Sequence, residues 1–543
     1  MARRQNGETW CIWTVLVLLF VGALCYPLML ILVQSFGGDE FTLLHYREIF
    51  TQRGFIDALW HSFFISALSA LITTVLAFIM AYTLNYTNVN GNVKKFIKLF
   101  AMLPMLLPTI TYGFAIIYSF GKQGLYTRLF GKQLFDIYGI NGLLIGYIIY
   151  TLPIAFMLIH NTMGYIDRKF SIVSRMMGDT GMTTFLETVL RPLVGTLAVS
   201  FIQCFFLNFT DFGIPASVGG EVEVIAAALY NQMLGSVPNF NNGAVVAIMM
   251  LLPSIVSITV IAYLERYNIR YNKLSPVENK KNTLRDVVCG TISLGIIMVI
   301  LAIFAVLFVV PLVQGWPYDM TFTWEHVQQV FEDAALTRVY RNALVVATLT
   351  AIFGTGMAYG ASLVTSRSTI SERAKHVIES VAAVTNTIPG MVLGIAFMLA
   401  FTGTPLQNTF AIIVLCNLVH LFATPYMMMK HTLSKMNLSW ERTAKLMGDS
   451  WIKTVARIVT PNAVTSLIEV FGYYFVNALV TVSAVIFLAG ARTMVITTKI
   501  KELQHFAKFN DIFVLSILLL VTNLIAKLLC QFLATATRGQ KAA

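Results

Sequence analysis

Long apolar runs recur from one end of this chain to the other, and each is wide enough to fill the hydrocarbon of a bilayer. A helix needs roughly 20 apolar residues to cross about 30 Å of lipid. Runs of that kind lie at approximately residues 10–35, 58–85, 99–120, 141–160, 194–216 and 243–264, and again at 288–314, 339–364, 377–402, 408–429, 463–490 and 511–535. Apolar residues make up 57% of the chain and charged residues only 12%, where a water-soluble domain carries about 25% charged. The expected fold is therefore an all-α integral membrane protein of about twelve transmembrane helices. Arg3 and Arg4 precede the first run, from Trp10 to about Phe36. That run is too long for a cleaved signal and no small-residue cleavage site closes it, so it reads as the first span.

The net charge of +12 raises the question of nucleic acid. The basic residues instead cluster in short loops beside apolar runs, the placement that orients a membrane protein. Lys94, Lys95 and Lys98 follow the second span, Arg168, Lys169 and Arg175 the fourth, and Arg266, Arg270, Lys273, Lys280, Lys281 and Arg285 the sixth. Those loops are expected in the cytoplasm. Acidic residues mark the loops after the fifth span (Glu221, Glu223) and the seventh (Asp319, Glu325, Glu332, Asp333), which are expected outside. Two outward loops carry basic residues against this trend: Lys122, Arg128 and Lys132 after the third span, and Arg492, Lys499, Lys501 and Lys508 after the eleventh. The majority of loops sets the orientation, and an even number of spans then leaves both termini in the cytoplasm.

The two sets of spans are related. Residues 160–180 and 430–450 align without gaps at an offset of 270, matching Thr162 with Thr432, Met177 with Met447, Gly178 with Gly448 and Asp179 with Asp449. Upstream, Pro108 and Gly113 match Pro389 and Gly394 at an offset of 281, and Ala67 with Ile72 match Ala347 with Ile352 at 280. Two copies of a six-helix unit in parallel orientation are expected to pack as a pseudo-symmetric pair with a path between them. The first half covers residues 1–266, the second 286–543, and the basic, Pro276-containing segment 267–285 reads as a cytoplasmic linker.

Each copy of the loop is expected to form a short helix, a glycine turn and a second short helix along the cytoplasmic face. Gly178 and Gly448 can adopt the left-handed conformation that ends a helix without a side-chain penalty. Apolar neighbours, Met176, Met177 and Phe185 in one copy and Leu446, Met447 and Val455 in the other, offer a face to a partner's groove. The alternative for such a face is its own bundle or the bilayer surface; two copies in register favour docking.

The paired loop resembles the EAA loop of binding-protein-dependent ABC importer permeases, whose pattern is Glu-Ala-Ala, three residues, Gly-Ala, then an apolar position and Leu-Pro. In the second half Thr443 and Ala444 stand at the two Ala positions, Gly448 at the glycine, Val455 at the apolar position and Pro461 at the proline. Arg442 occupies the place of the Glu, with Glu441 beside it, and the first half has Ile172, Val173 and Ser174 with no acid. Pro192 falls one residue late relative to Pro461, and both copies read Gly-Asp instead of Gly-Ala. The resemblance covers the five later spans of each half. Fused double permeases are similar to importers of ferric iron, thiamine and organophosphonates.

The resemblance implies a transport subunit without enzymatic activity of its own. Loops 160–192 and 430–461 would be received by two ATP-binding subunits, which carry ATP and Mg, and an extracytoplasmic solute-binding protein would deliver the solute. Docking residues carried over are Ser174, Met177, Gly178, Asp179, Phe185, Ala444, Met447, Gly448, Asp449 and Val455. In accord with this, the chain has no G-x-x-x-x-G-K-[ST] sequence. The implied place is the inner or plasma membrane of a prokaryote, with lipid and not nucleic acid as the surrounding partner.

Asp211 and Glu469 are candidates for the translocation path, because a carboxylate within a span is costly unless it has a role. The other readings are a helix-end carboxylate satisfied by backbone or water for Asp211, and pairing within the bundle for Glu469. The eight histidines show no i, i+4 pair, which argues against a metal site. The six cysteines lie in or beside apolar segments without paired spacing and read as structural. Gly37-Gly38 and Gly219-Gly220 mark turns, and Tyr and Trp near span ends are interfacial anchors. The main rival is a twelve-span ion-coupled secondary transporter, which would need no matched docking loops. A membrane enzyme finds no active-site spacing to support it.

Overall fold

The computed structural model describes residues 2–37, 41–167, 169–264 and 282–542. Most of the expected linker, 267–281, lies outside the described residues; the following helix starts at Thr283, capped by the Asn282 side chain, which accepts from the Arg285 N–H at 3.1 Å.

Among the described residues nine helices are long and apolar enough to cross a bilayer without a break: Gly7–Ser35, Arg53–Tyr86, Ile140–Met163, Gly181–Thr210, Phe240–Ile261, Thr283–Leu312, Ala334–Arg367, Trp451–Val480 and Phe509–Thr537. Three further pairs of helices are sharply bent and bring the number to twelve if each is one span. Large apolar side chains such as Trp60, Leu71, Val75, Ile255 and Leu528 stand exposed along these helices, which suits lipid as their solvent.

The bent pairs replace three spans expected to be continuous. Gly91–Leu106 meets Thr109–Phe130 at 109°, and Glu372–Thr385 meets Gly390–Phe401 at 108°. Pro104 and Pro108 stand at the first break and Pro389 at the second. Proline donates no N–H and disfavours helical conformation in the residue before it, and Leu107 and Ile388, which precede Pro108 and Pro389, both lie outside the helices, so the chain turns there. The third pair, Phe410–His420 and Ala423–Ser434, bends by 56°. An apolar run reports lipid exposure but not direction, which is why these turns are invisible in hydropathy.

The fifth and eleventh spans also differ from expectation. They end at Thr210 and Val480, short of 216 and 490, and the chain then folds back as short helices Gly213–Val218 and Val485–Phe487. Each return segment packs against the second arm of a bent pair, and glycine makes the contact close enough. A methyl on Gly113 would lie 1.8 Å from the Ser217 hydroxyl, and one on Gly394 would lie 2.4 Å from the Ala484 carbonyl oxygen. The matched glycines of the repeat are thus equivalent packing points in its two copies. The loop after the seventh span forms a small antiparallel hairpin, Val313–Gly315 with Asp319–Phe322. The six cysteines are free thiols.

By contact the chain gathers into two compact units, Met1–Tyr46 with Asn239–Leu251 and Val327–Ala543, and Arg47–Pro238 with Leu252–His326. In the former, the first span lies against helices of the second repeat. Trp13 donates its indole N–H to the Ala374 carbonyl at 2.9 Å, and the Phe20 and Phe422 rings sit 4.8 Å apart. In the latter, the seventh span lies against the first repeat: the Thr83 and Ser293 hydroxyls are 2.7 Å apart, and the Tyr126 hydroxyl donates to the Ala302 carbonyl at 2.9 Å. The former unit therefore combines the second repeat's five later spans with the first span, the latter combines spans two to five with the seventh, and the sixth span is divided at Leu251.

Candidate functional site

The two related loops fold alike. In the first, helix Lys169–Met176 stops at Gly178, whose φ of +91° is left-handed; in the second, helix Ser439–Leu446 stops at Gly448, with φ of +82°. The Asp179 N–H donates to the Ser174 carbonyl at 3.2 Å and the Asp449 N–H to the Ala444 carbonyl at 3.0 Å, the long bond of a Schellman motif in each copy. Thr180 and Ser450 then cap the next helix through their hydroxyls, accepting from the N–H groups of Thr183 and Lys453.

That second helix does not end on the surface. Gly181–Phe185 continues through a single π turn, Leu186–Leu190, into Arg191–Thr210; Trp451–Thr454 continues through Val455–Val459 into Thr460–Val480. The glycine turn is thus the tip of a helical arm continuous with a spanning helix. Five residues form the first short helix against four in the second, and this extra residue places Pro192 one position late.

The proposed docking residues divide into two sets. Met176 and Met177 are 83% and 80% exposed, and Leu446 and Met447 are 89% and 78% exposed. These apolar side chains surround the two glycines at the tips. Of the others, Ser174, Ala444 and Val455 are buried and Phe185 is half-buried, while Asp179 and Asp449 stay at the surface and bond within their own loops. Ser174 is buried and donates to the Asp179 carboxylate at 2.6 Å, with the Thr184 hydroxyl 3.1 Å away. Phe185 packs edge-on against the Phe78 and Tyr82 rings at 6.2 and 5.8 Å. Ala444 is buried, Val455 lies in a core with Met429, Leu433 and Trp451, and Asp449 pairs with Lys453.

The second loop has an anchor that the sequence reading missed. Arg367, the last residue of helix Ala334–Arg367, forms a two-pronged ion pair with Glu441 at 2.6 Å on each prong. In the first loop Ser171 holds the Thr188 hydroxyl at 2.8 Å instead. Arg367 and Glu441 lie 74 residues apart, and an arginine ending a span reads as an ordinary orienting charge.

The two intramembrane carboxylates sit in different settings. Asp211 is buried just beyond Thr210, and its Oδ2 accepts from the Ile214 N–H at 2.9 Å, with the Gly213 N–H and Thr109 hydroxyl also bonded to it. It closes the N-terminal end of the return helix. Glu469 stands on the exposed side of helix Thr460–Val480. Among the described residues no three His, Cys, Asp or Glu side chains converge as metal ligands.

Comparison with known proteins adds the relationship. Over 516 residues the chain is 27% identical to the putative ferric transport system permease protein FbpB 1 of Haemophilus influenzae, covering 90% of this chain and 80% of that protein. Over 521 residues it is 25% identical to the ferric transport system permease protein FbpB of Actinobacillus pleuropneumoniae, covering 92% and 74%. Among solved structures it is similar to a bacterial ABC transporter involved in the import of the acidic polysaccharide alginate, with 14% identity and a TM-score of 0.42 over 50% of this chain and 99% of that one. The family of binding-protein-dependent transport system inner membrane components matches twice, over residues 73–270 and 356–539, leaving out the first span of each half. The chain belongs to that family, as a multi-pass permease subunit carrying two copies of the family's domain in one polypeptide.

Proposed function

We infer that this chain forms the membrane path of an ATP-driven importer whose loops 160–192 and 430–461 dock two separate ATP-binding subunits. The observation that carries this reading is the pair of left-handed glycines at 178 and 448, each at the tip of an arm continuous with a span and each ringed by exposed apolar side chains. A fully buried methionine or leucine contributes about 1.5–3 kcal/mol, so two per tip suffice to seat a loop in an apolar groove. Motion of the partner would pass along the arm into the helices beyond the π turns. ATP and Mg belong to those subunits.

Both loops and both termini lie in the cytoplasm in this reading, and a solute-binding protein docks on the opposite face. Ferric iron is the solute that the names of the two relatives support. Because the solute arrives already bound, the permease needs no high-affinity site of its own, and Asp211 and Glu469 are its candidate path residues.

Affinity purification of the tagged chain from its native membrane tests the reading. Two copies of an ATP-binding subunit per chain are expected to co-elute, and the Gly178→Val, Gly448→Val double variant is expected to insert normally and lose them. Retention of the subunits by that variant overturns the role of the loops. A chain that elutes alone and moves solute on an ion gradient is a secondary transporter instead.

A further inference from the structure

We propose that Arg367 is the positioning residue of the second docking loop, holding both of its limbs to helix Ala334–Arg367 and making this loop the stronger of the two couplings. The inference rests on the docking role proposed above. A charged side chain at the end of a span normally reaches outward to water. The Arg367 side chain does the opposite: none of it is exposed, and 13% of the Glu441 side chain is. Nε and Nη2 donate to the two carboxylate oxygens of Glu441 at 2.6 Å each, Nη1 to the Met436 carbonyl at 2.8 Å, and Nη2 also to the Asn437 carbonyl at 3.1 Å. These partners all precede Gly448. On the other side of the turn, the Trp451 indole N–H donates to the backbone carbonyl of Arg367 at 3.2 Å. A single residue thereby grips the limb that enters the glycine turn and the limb that leaves it.

The chemistry of the grip is directional. A guanidinium fork on a carboxylate fixes distance and plane together, which a lysine or an apolar contact does not. Burying the two charges is costly in itself, and such pairs are best explained where one geometry must be selected over its neighbours. Among the described residues the first loop shows no arginine–carboxylate fork of this kind. At the repeat's offsets of 270 and 280, Ser171 stands in the place of Glu441 and Thr87 in that of Arg367. The Thr87 hydroxyl turns back to the Thr83 carbonyl of its own chain segment, and the Ser171 hydroxyl meets the Thr188 hydroxyl on the loop's far limb at 2.8 Å. Hydroxyl pairs align limbs without specifying an orientation as tightly as a bidentate ion pair. Force arriving at the second tip is therefore delivered to helix Ala334–Arg367 through a stiff link, and force at the first through a softer one.

The test uses the complete transporter reconstituted with its ATP-binding subunits and binding protein, and reads solute imported per ATP hydrolysed. Arg367→Gln and Glu441→Gln are each expected to lower that ratio at least about tenfold, since removing one partner leaves the other charge buried and uncompensated. Arg367→Lys, which keeps the charge and loses the fork, is expected to fall between them and the parent. A Ser171→Ala, Thr188→Ala variant of the first loop is expected to stay within about twofold of the parent, in line with the small net worth of a neutral hydrogen bond. Equal losses from the two loops, or a parental ratio in Arg367→Gln, would overturn the inference. If Arg367→Gln does not insert, Trp451→Phe decides: it removes the indole donor while keeping an aromatic ring in the core and is expected to lower the ratio while ATP hydrolysis continues, and an unchanged ratio counts against the grip. Failure of the parent itself to bind the ATP-binding subunits would instead refute the docking role on which this rests.

Discussion

Replacing Gly448 by alanine isolates what the left-handed turn contributes. A Cβ at this position would meet nothing within 4 Å, so no neighbour is displaced and the cost is confined to the backbone. At φ of +82° that cost is about 1–2 kcal/mol for an L-residue. The tip is exposed and held by its own Schellman bonds, so the penalty falls on the turn rather than on the fold. A population shift of about 1–2 kcal/mol corresponds to a factor of roughly 5–30, and the apparent dissociation constant for an ATP-binding subunit rises by the same factor when only the native turn can dock. Asparagine tolerates the left-handed region better than alanine, so Gly448→Asn is expected to bind more tightly than Gly448→Ala despite its larger side chain. The assay is titration of the purified subunit onto the permease in lipid nanodiscs, with thermal unfolding followed in parallel and expected to stay unchanged. Equal affinities for the alanine and asparagine variants would refute the reasoning, because they would show that side-chain presence rather than backbone conformation matters.

Gly113→Ala is expected to lower the thermal midpoint, with overpacking costing about 1–3 kcal/mol; adding Ser217→Gly removes the atoms 1.8 and 2.5 Å from the new methyl and is expected to restore most of it. Gly394→Ala meets the Ala484 backbone at 2.4 Å, so no side-chain change nearby is expected to rescue it in the same thermal assay. Asp211→Ala leaves the Ile214 N–H without its acceptor and is expected to destabilise by about 1–3 kcal/mol, whereas Asp211→Asn keeps an oxygen there and is expected to unfold near the parental temperature. Loss of uptake by the stable asparagine variant would assign Asp211 to the path. Uptake measured on Glu469→Gln, a change at an exposed position of its helix, decides whether this carboxylate belongs to the path.

Much of the fold was legible because lipid imposes a simple demand on composition. The runs of apolar residues located the spans, and the offset of 270 between Gly178 and Gly448 located two loops that the structure builds with the same turn, cap and π turn. Direction was harder to read. The bends at Pro108 and Pro389 lie inside apolar runs, and the return helices after Thr210 and Val480 are nearly as apolar as the spans they follow. The packing of the first span on the second repeat depends on contacts hundreds of residues apart, such as Trp13 with Ala374, which no local pattern encodes. The candidate site was readable in its glycines and exposed methionines but not in its burial. Phe185 and Val455 look like partner-facing residues by spacing, yet their own bundle claims them. Glu441 was visible as a displaced acid, while its partner Arg367 was hidden in the charge expected at any helix end.

The most direct measurement is solute uptake into proteoliposomes containing this chain, the ATP-binding subunits and an external binding protein loaded with ferric iron. Uptake is predicted to require ATP at the subunits, to require the loaded binding protein, and to persist when ionophores collapse every ion gradient. Uptake by the chain alone, driven by an ion gradient and abolished by those ionophores, would contradict an ATP-driven importer.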